Sequence, residues 1–465
     1  MTELGLYLSA IVLAAGKGKR MKSSLPKVLH PILGRPVISY VIDAVKGIKP
    51  ERTLVVIGHG SEEIKKTLTS NRLEYVIQSE QLGTGHAVLS AKGVLKGFNG
   101  HILILNGDSP LVRPETIKRF INSHFKAGYS LSILTANVEN PTGYGRLIRN
   151  SKGDVLKIVE ERDASSQERV INEINSGIYC VESSLLWKAL EKVRRNNYQK
   201  EIYLTDIVYL SSSVGERVNG FLIKDAEQVL GINNRVELMN AEGIMRKRVN
   251  DHMMISGVTI INPQDTYISS QVSIGSDTII YPNTYIFGGT KVGKGCRIGP
   301  SVWIEDSKIG EGVIINFSSF ISKSIIEDDA MVGPFAHIRP DSKIFKGAKI
   351  GNFVEIKKAS IGMGSKVPHL SYVGDASIGQ RVNVGAGTIT CNYDGLKKHE
   401  TIIEDDVFVG SDTMLVAPVK IGQGATTGAG STITKDVPPF SLAIERSKQV
   451  SIRNWKRRPR EKREA

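Results

Sequence analysis

Cysteine is scarce. Cys180, Cys296 and Cys391 are the three in the chain, far apart and without the paired spacing of a zinc site. That excludes a disulfide framework or a cysteine-based metal knuckle and fits a reducing cytoplasm. A membrane-spanning run is also missing. The stretch from Leu4 to Gly16 is apolar enough to imitate a signal-peptide core, but Glu3 precedes it and Lys17, Lys19 and Arg20 follow it. It is too short to span a bilayer, so it reads as a buried first strand, with no membrane insertion expected. The basic excess lacks the companions of a nucleic-acid binder. Net charge is +14, and the tail from Arg453 to Ala465 carries Arg453, Lys456, Arg457, Arg458, Arg460, Lys462 and Arg463 against Glu461 and Glu464. No aromatic platform or zinc finger accompanies this tail, so a solvated terminus is the plainer reading and no nucleic-acid partner is expected. Anionic small substrates account for a moderate basic excess equally well.

What is present is a period of six. Aliphatic residues stand six apart at Ile268, Ile274, Ile280, Ile286, Val292, Ile298 and Ile304, again at Ile326, Val332, Ile338, Ile344, Ile350 and Ile356, and again at Ile403, Val409, Leu415 and Ile421. Neither a helix nor an ordinary strand has that period; a β-solenoid of hexapeptides does. Six residues make one short strand and a corner, so three hexads close a triangular coil with the same position inside at every turn. Glycine often follows the aliphatic, and small Thr278, Thr290 or Cys296 sits four places on, as tight corners and a narrow interior require. A β-sandwich would show period two within strands and no fixed six. The hexads break between Thr390 and Ile403, where Cys391-Asn392-Tyr393-Asp394-Gly395 and a basic stretch leave the coil as a loop.

Before the hexads the pattern is of apolar strands separated by helical stretches. Candidate strands are Ser9 to Ala15, Thr53 to Ile57, His101 to Leu105 and Ser130 to Ala136, with helices such as Val37 to Lys46 and Pro114 to Phe125. The alternation predicts a mainly parallel sheet with helices on both faces, and ligands beyond the carboxyl ends of its strands. The expected division is an α/β domain over 1–232, a linker helix over 233–254, and the hexad domain over 255–465.

Strand one ends in Leu13-Ala14-Ala15-Gly16-Lys17-Gly18-Lys19-Arg20-Met21, with Leu25-Pro26-Lys27 soon after. The glycines let backbone amides approach a ligand while Arg20 and Lys27 add cations, which suits polyphosphate. The loop is neither a Walker loop nor a dinucleotide fingerprint. Asn106-Gly107-Asp108-Ser109-Pro110 then sets a carboxylate at a strand's carboxyl end, where magnesium finds an oxygen ligand and keeps room for phosphates. Gln81-Leu82-Gly83-Thr84-Gly85-His86-Ala87, Gly143-Tyr144-Gly145-Arg146, Glu160 and Glu173-Ile174-Asn175-Ser176-Gly177 supply further compact polar signals.

On these motifs together with the hexads, the whole chain resembles the bifunctional bacterial enzymes that act as N-acetylglucosamine-1-phosphate uridyltransferase and glucosamine-1-phosphate N-acetyltransferase. The resemblance implies a Rossmann-like α/β nucleotidyltransferase domain joined to a left-handed parallel β-helix. It implies that Leu13, Ala14, Gly16, Gln78, Gly83 and Thr84 hold the uridine nucleotide, that Gly145, Glu160 and Asn175 bind the sugar, that Asp108 and Asn233 hold Mg2+, and that Arg20 and Lys27 neutralise the triphosphate. Asn106 stands where some relatives carry a tyrosine that contacts the nucleotide.

In the hexad domain, His369 lies two after the inward-facing Val367 and is followed by Tyr372, Asn383 and the loop Asn392-Tyr393. Amide formation from an amine and a thioester needs a base near neutrality, and histidine supplies one. By the same resemblance His369 is that base. Arg339, Lys357, Tyr372, Asn383 and Lys398 would bind glucosamine 1-phosphate, and Ala386, Asn392, Tyr393, Ser411, Ala429 and Arg446 would line the acetyl-CoA path. Pro368 replaces a glycine familiar before this histidine. The expected protein is a cytoplasmic homotrimer making UDP-N-acetylglucosamine for envelope polymers, from glucosamine 1-phosphate, acetyl-CoA and UTP, through N-acetylglucosamine 1-phosphate. The alternatives are a nucleotidyltransferase whose solenoid only assembles the trimer, and a non-enzymatic scaffold or adhesin. The first has no use for His369, and the second none for Asp108 or Lys27.

Overall fold

The computed structural model describes residues 7–456. The basic residues from Arg457 onward, and the start of the apolar stretch at Leu4, lie outside the described residues. The chain forms two compact units, which divide between Arg248 and Val249.

In the first unit one sheet runs in the order Val218–Ile223, Leu131–Asn137, Glu173–Glu182, His101–Asn106, Leu8–Ala14, Arg52–Ile57, Leu73–Ile77. Both faces are covered, so alternate residues of a single strand enter different cores. Ala10, Val12, Leu103 and Leu105 pack with Ile38, Val41 and Phe120, while Ile11, Ile102 and Ile104 pack with Val88 and Leu186. This explains why these strands read as continuous apolar runs. The first strand pairs in parallel with both neighbours, and the register Leu13↔Asn106 puts the loops after Ala14 and Asn106 side by side. Glu173–Glu182 runs antiparallel between Leu131–Asn137 and His101–Asn106. Its beginning, with an irregularity between Asn175 and Tyr179, therefore lies at the carboxyl ends of the parallel strands.

The second unit is a parallel β-helix. Short strands stack into three columns, one forming an eleven-stranded sheet and the other two joined in a seventeen-stranded path. Every hexad aliphatic named above is buried, with the exception of Ile274, which is partly exposed. The gaps between the three runs have a simple cause. The inward row continues through Ile309, Ile315, Ile321, Ile361, Val367, Val373, Ile378 and Val384, but the steps from Ile304, Ile321, Ile356 and Val373 to the next inward residue are one residue short. Each short corner is turned by a non-glycine residue in the left-handed region: Asp306 (φ 47°), Lys323 (44°), Lys358 (45°) and Asp375 (46°). Full corners carry left-handed residues too, Asp277, Asn283 and Asp341 among them, three places after the inward aliphatic; in the short corners that residue stands two places after it, so one residue is omitted and the inward column does not move.

Candidate active sites

Beyond the carboxyl ends of the parallel strands lies a cavity of about 450 Å3 whose walls include Leu13, Ala14, Gly16, Lys27, Gln78, Gly83, Thr84, Asn106 and Asp108. Gly18, at φ 57°, is required by its surroundings, since a β-carbon there would come within 2.8 Å of Lys27 Cβ. Gly16 is different: a β-carbon would meet nothing within 4 Å, so its absence leaves space for a ligand and is not demanded by packing. Gly83 (φ 107°) presses against Ile202, whose carbonyl would be 2.5 Å from an added β-carbon. Gln78 donates from Nε2 to the Gly83 carbonyl at 3.2 Å and contacts His86 Nδ1 at 3.1 Å, so the amide anchors this glycine loop.

Asn233 is positioned by a helix start. The Asn234 side chain accepts from the Val236 and Glu237 amides at 2.9 Å, capping the helix Arg235–Ile255. Glu237 Oε2 takes the Asn233 amide at 2.7 Å and Asn233 Nδ2 at 3.1 Å. With Nδ2 engaged, Asn233 Oδ1 faces Arg20 Nη2 at 2.8 Å and Lys27 Nζ at 3.4 Å. Lys27 is also ion-paired with Asp108. A carboxylate and an amide oxygen thus converge on one cation, a hard oxygen pair of the kind a divalent metal takes.

Gly145, Glu160 and Asn175 come together beside this. The Asn175 amide donates to the Gly145 carbonyl at 2.9 Å, and a β-carbon on Gly145 would lie 3.6 Å from the Glu160 carboxylate. Fully buried Arg146 fixes the Gly143–Gly145 turn through the Tyr144 carbonyl and Glu161. Glu160 lines a second cavity of about 270 Å3 with Asp163, Tyr203, Thr205 and Asp206. Burial pushes its carboxyl up, opposed by the Thr205 hydroxyl, which donates at 3.2 Å. Burial, with Asp163 adding, also pushes Asp206 up to about 6. Tyr203 and Thr205 are site-lining residues that the sequence reading missed; they lie on no motif, and only the fold of 197–206 against Gly83 and Thr84 brings them in.

His101, His124 and Cys180 also cluster in this unit. His124 Nε2 and His101 Nδ1 are 2.8 Å apart and His124 Nδ1 meets Ser132 Oγ at 2.8 Å. Two nitrogens on one tetrahedral zinc would stand about 3.3 Å apart. The group is a hydrogen-bonded Ser132–His124–His101 chain beside a buried thiol.

In the β-helix, strand register builds the site. Asn352 pairs with His369. Extending the registers Lys366↔Asn383, Asn383↔Phe408 and Phe408↔Thr426 by three residues sets Ala386, Ser411 and Ala429 in the same column. Arg446 donates to the Ala429 carbonyl at 2.9 Å. Arg339 and Lys357 follow the paired residues Ile338 and Ile356 in adjacent coils. The next coil has Gly374 at that place, and a β-carbon there would strike Tyr372 Oη at 2.3 Å, so the glycine makes room for the tyrosine. Lys398 contacts Lys357, whose charge pushes its pKa down. Arg339 is paired with Glu355 at 2.7 Å. Asn392 donates to Asp375 at 2.6 Å and approaches Tyr372 Oη at 3.5 Å. The protruding loop is closed by the Tyr393↔Lys398 bridge and by His399 Nε2 on Asp394 Oδ2 at 2.7 Å. His337 is exposed and edge-on to Phe320.

Residues 10–176 match the MobA-like NTP transferase domain family, and residues 323–358 and 400–435 match the bacterial transferase hexapeptide family. Similar proteins called bifunctional protein GlmU span nearly the whole chain. The one from Shouchella clausii is 49% identical over 96% of this chain and 98% of its own, that from Thermoanaerobacter pseudethanolicus 50% over 96% and 97%, and that from Geotalea uraniireducens 47% over 97% and 98%.

Proposed function

The chain belongs to the bifunctional GlmU family, and from that membership we propose how its two sites divide two reactions. It makes UDP-N-acetylglucosamine for envelope polymers: the left-handed β-helix acetylates glucosamine 1-phosphate from acetyl-CoA, and the amino-terminal nucleotidyltransferase then transfers UMP from UTP to N-acetylglucosamine 1-phosphate, releasing pyrophosphate.

In the nucleotidyltransferase, Leu13, Ala14, Gly16, Gln78, Gly83 and Thr84 hold the uridine nucleotide, and Gly145, Glu160 and Asn175 hold the sugar, joined by Tyr203 and Thr205. The sugar phosphate oxygen attacks the α-phosphorus in line and pyrophosphate leaves, with no covalent enzyme intermediate. Arg20 and Lys27 neutralise the triphosphate. The reaction uses a divalent metal, for which we propose Mg2+ on Asp108 and Asn233. When bound, the metal stabilises charge on the phosphoryl oxygens. Lys27 is then free to turn from Asp108 to the phosphates.

In the β-helix, His369 takes the proton of the substrate amine as its nitrogen attacks the thioester carbonyl; the C–S bond breaks and the CoA thiolate leaves. Arg339, Lys357 and Lys398 supply positive charge for the sugar phosphate, with Tyr372 and Asn383 beside it, while Ala386, Asn392, Tyr393, Ser411, Ala429 and Arg446 receive acetyl-CoA. The observation that carries this assignment is the single column of His369, Ala386, Ser411 and Ala429: the histidine stands beside a row of small residues along which a long cofactor can lie. We also propose a homotrimer in the cytoplasm. Supporting the trimer, Phe317, Phe335, Phe353 and Leu370 form an exposed ridge, 42% to 60% accessible, in which Phe353 and Leu370 adjoin Asn352 and His369. Among the described residues no helix is long and apolar enough to cross a membrane.

The test is thiol release from acetyl-CoA with glucosamine 1-phosphate, comparing the intact protein with His369→Ala. Acetyl transfer is expected to fall about 10²-fold or more while uridylyl transfer persists. Uridylyl transfer without any acetyl transfer in the intact protein would reduce the β-helix to an assembly body.

A further inference from the structure

His369 has a partner that neither the hexad period nor any motif picks out. Asn352 stands one coil away, directly opposite it in strand register, and its Oδ1 lies 2.5 Å from His369 Nδ1. We propose that Asn352 is a positioning residue for acetyl transfer: by accepting a hydrogen bond from Nδ1–H it selects that tautomer and leaves Nε2, with its lone pair, as the proton acceptor. This rests on the assignment of His369 as the base.

The reasoning is one of proton inventory. Neutral imidazole has one N–H, and an amide oxygen can only accept. The Oδ1 contact therefore favours the proton on Nδ1, and the opposite tautomer would present an N–H to the substrate amine and could not take its proton. When Nε2 is protonated during the reaction, the Nδ1–H···Oδ1 bond becomes charge-assisted and strengthens, so the same contact holds the ring through the proton transfer. The backbone keeps both partners in place. The Leu370 amide donates to the Asn352 carbonyl at 3.1 Å, and the His369 carbonyl accepts from Ser371 Oγ at 2.8 Å and from the Gly387 amide at 3.4 Å. The two coils approach so closely here that a β-carbon on Gly351 would sit 1.8 Å from the Pro368 carbonyl oxygen. Gly351 therefore permits the approach that lets a side chain as short as asparagine reach the imidazole.

The experiment uses the full-length protein and its Asn352→Ala, Asn352→Asp and His369→Ala variants, with circular dichroism and thermal melting to verify the β-helix. Acetyl transfer is followed across pH. Asn352→Ala is expected to lower kcat about 10-fold or more, with KM for both substrates changed little. In Asn352→Asp a carboxylate faces Nδ1, so the acid limb of kcat/KM should move up by about one pH unit, with kcat recovered above it. Wild-type kcat in the alanine variant, or an unmoved acid limb in the aspartate variant, would overturn the positioning role. Should the alanine variant fail to fold, the near-isosteric aspartate variant decides alone by its acid limb. Full acetyl transfer by folded His369→Ala would bring down the base assignment itself and this proposal with it. An inactive His369→Ala beside wild-type behaviour in both Asn352 variants would overturn the positioning role only.

Discussion

At the scale of single residues, the described side chains separate those aimed at ligand space from those that hold the frame. His124 belongs to the frame. It is fully buried, and burial with His101 beside it drives its pKa down from 6.5 to about 3. The folded state therefore keeps His124 neutral while the unfolded chain takes up a proton below about pH 6.5, so stability is lost as pH falls from there toward 3. At pH 5 the loss relative to neutrality is about 2 kcal/mol from this residue. Urea titrations at pH 7 and pH 5 should show His124→Gln losing less on acidification than the parent; equal losses would mean that the histidine is protonated in the fold. Which residues could be read in advance follows from where they sit. Gly16 and Asp108 lie in loops immediately after strands, where polar residues break an apolar run, and Arg20 and Lys27 stand in the short helical turns Lys19–Met21 and Lys27–Leu29 that follow the first of them. Tyr203, Thr205 and Asn352 break no pattern, so nothing local marks them.

At the scale of elements, two devices connect packing to chemistry. The start of the helix Arg235–Ile255 caps itself through Asn234 and Glu237, and Glu237 also holds Asn233 so that Oδ1 faces Lys27 and Arg20. Glu237→Ala should therefore cost about 1 kcal/mol as a lost cap and weaken metal-dependent uridylyl transfer about 10-fold, leaving acetyl transfer unchanged. Separate assays of the two reactions check this, and an equal fall in both would point to general unfolding. The second device is the short corner. The corners at Asp306, Lys323, Lys358 and Asp375 are one residue short, with the left-handed residue one place earlier than in full corners, and a strict count of six from the sequence stops at each of them even though the inward column continues through Ile309, Ile315 and Ile321.

At the scale of the whole molecule, the ridge Phe317–Phe335–Phe353–Leu370 places apolar surface beside His369. Phe335 and Phe353 stack with ring centroids 5.2 Å apart, an ordered face of the kind that associating copies bury. Phe353→Asp is expected to convert the proposed trimer to smaller species by light scattering and to abolish acetyl transfer, with uridylyl transfer retained. A trimer of undiminished acetyl activity would exclude this ridge from the interface.

The hexad period by itself determined a β-helix, because a repeated coil must return an aliphatic residue inside at fixed intervals. The alternation of strands and helices likewise determined the mainly parallel α/β sheet, and the loop chemistry after its strands pointed to phosphate. Only the tertiary structure decided the antiparallel course of Glu173–Glu182, the turn of Asn233 Oδ1 toward Lys27, the inclusion of Tyr203 and Thr205, and the pairing of Asn352 with His369. Each of these joins residues remote in sequence, by strand register or by a capped helix start. Local pattern carries no term for such contacts, because their energy arises only when the chain has closed on itself.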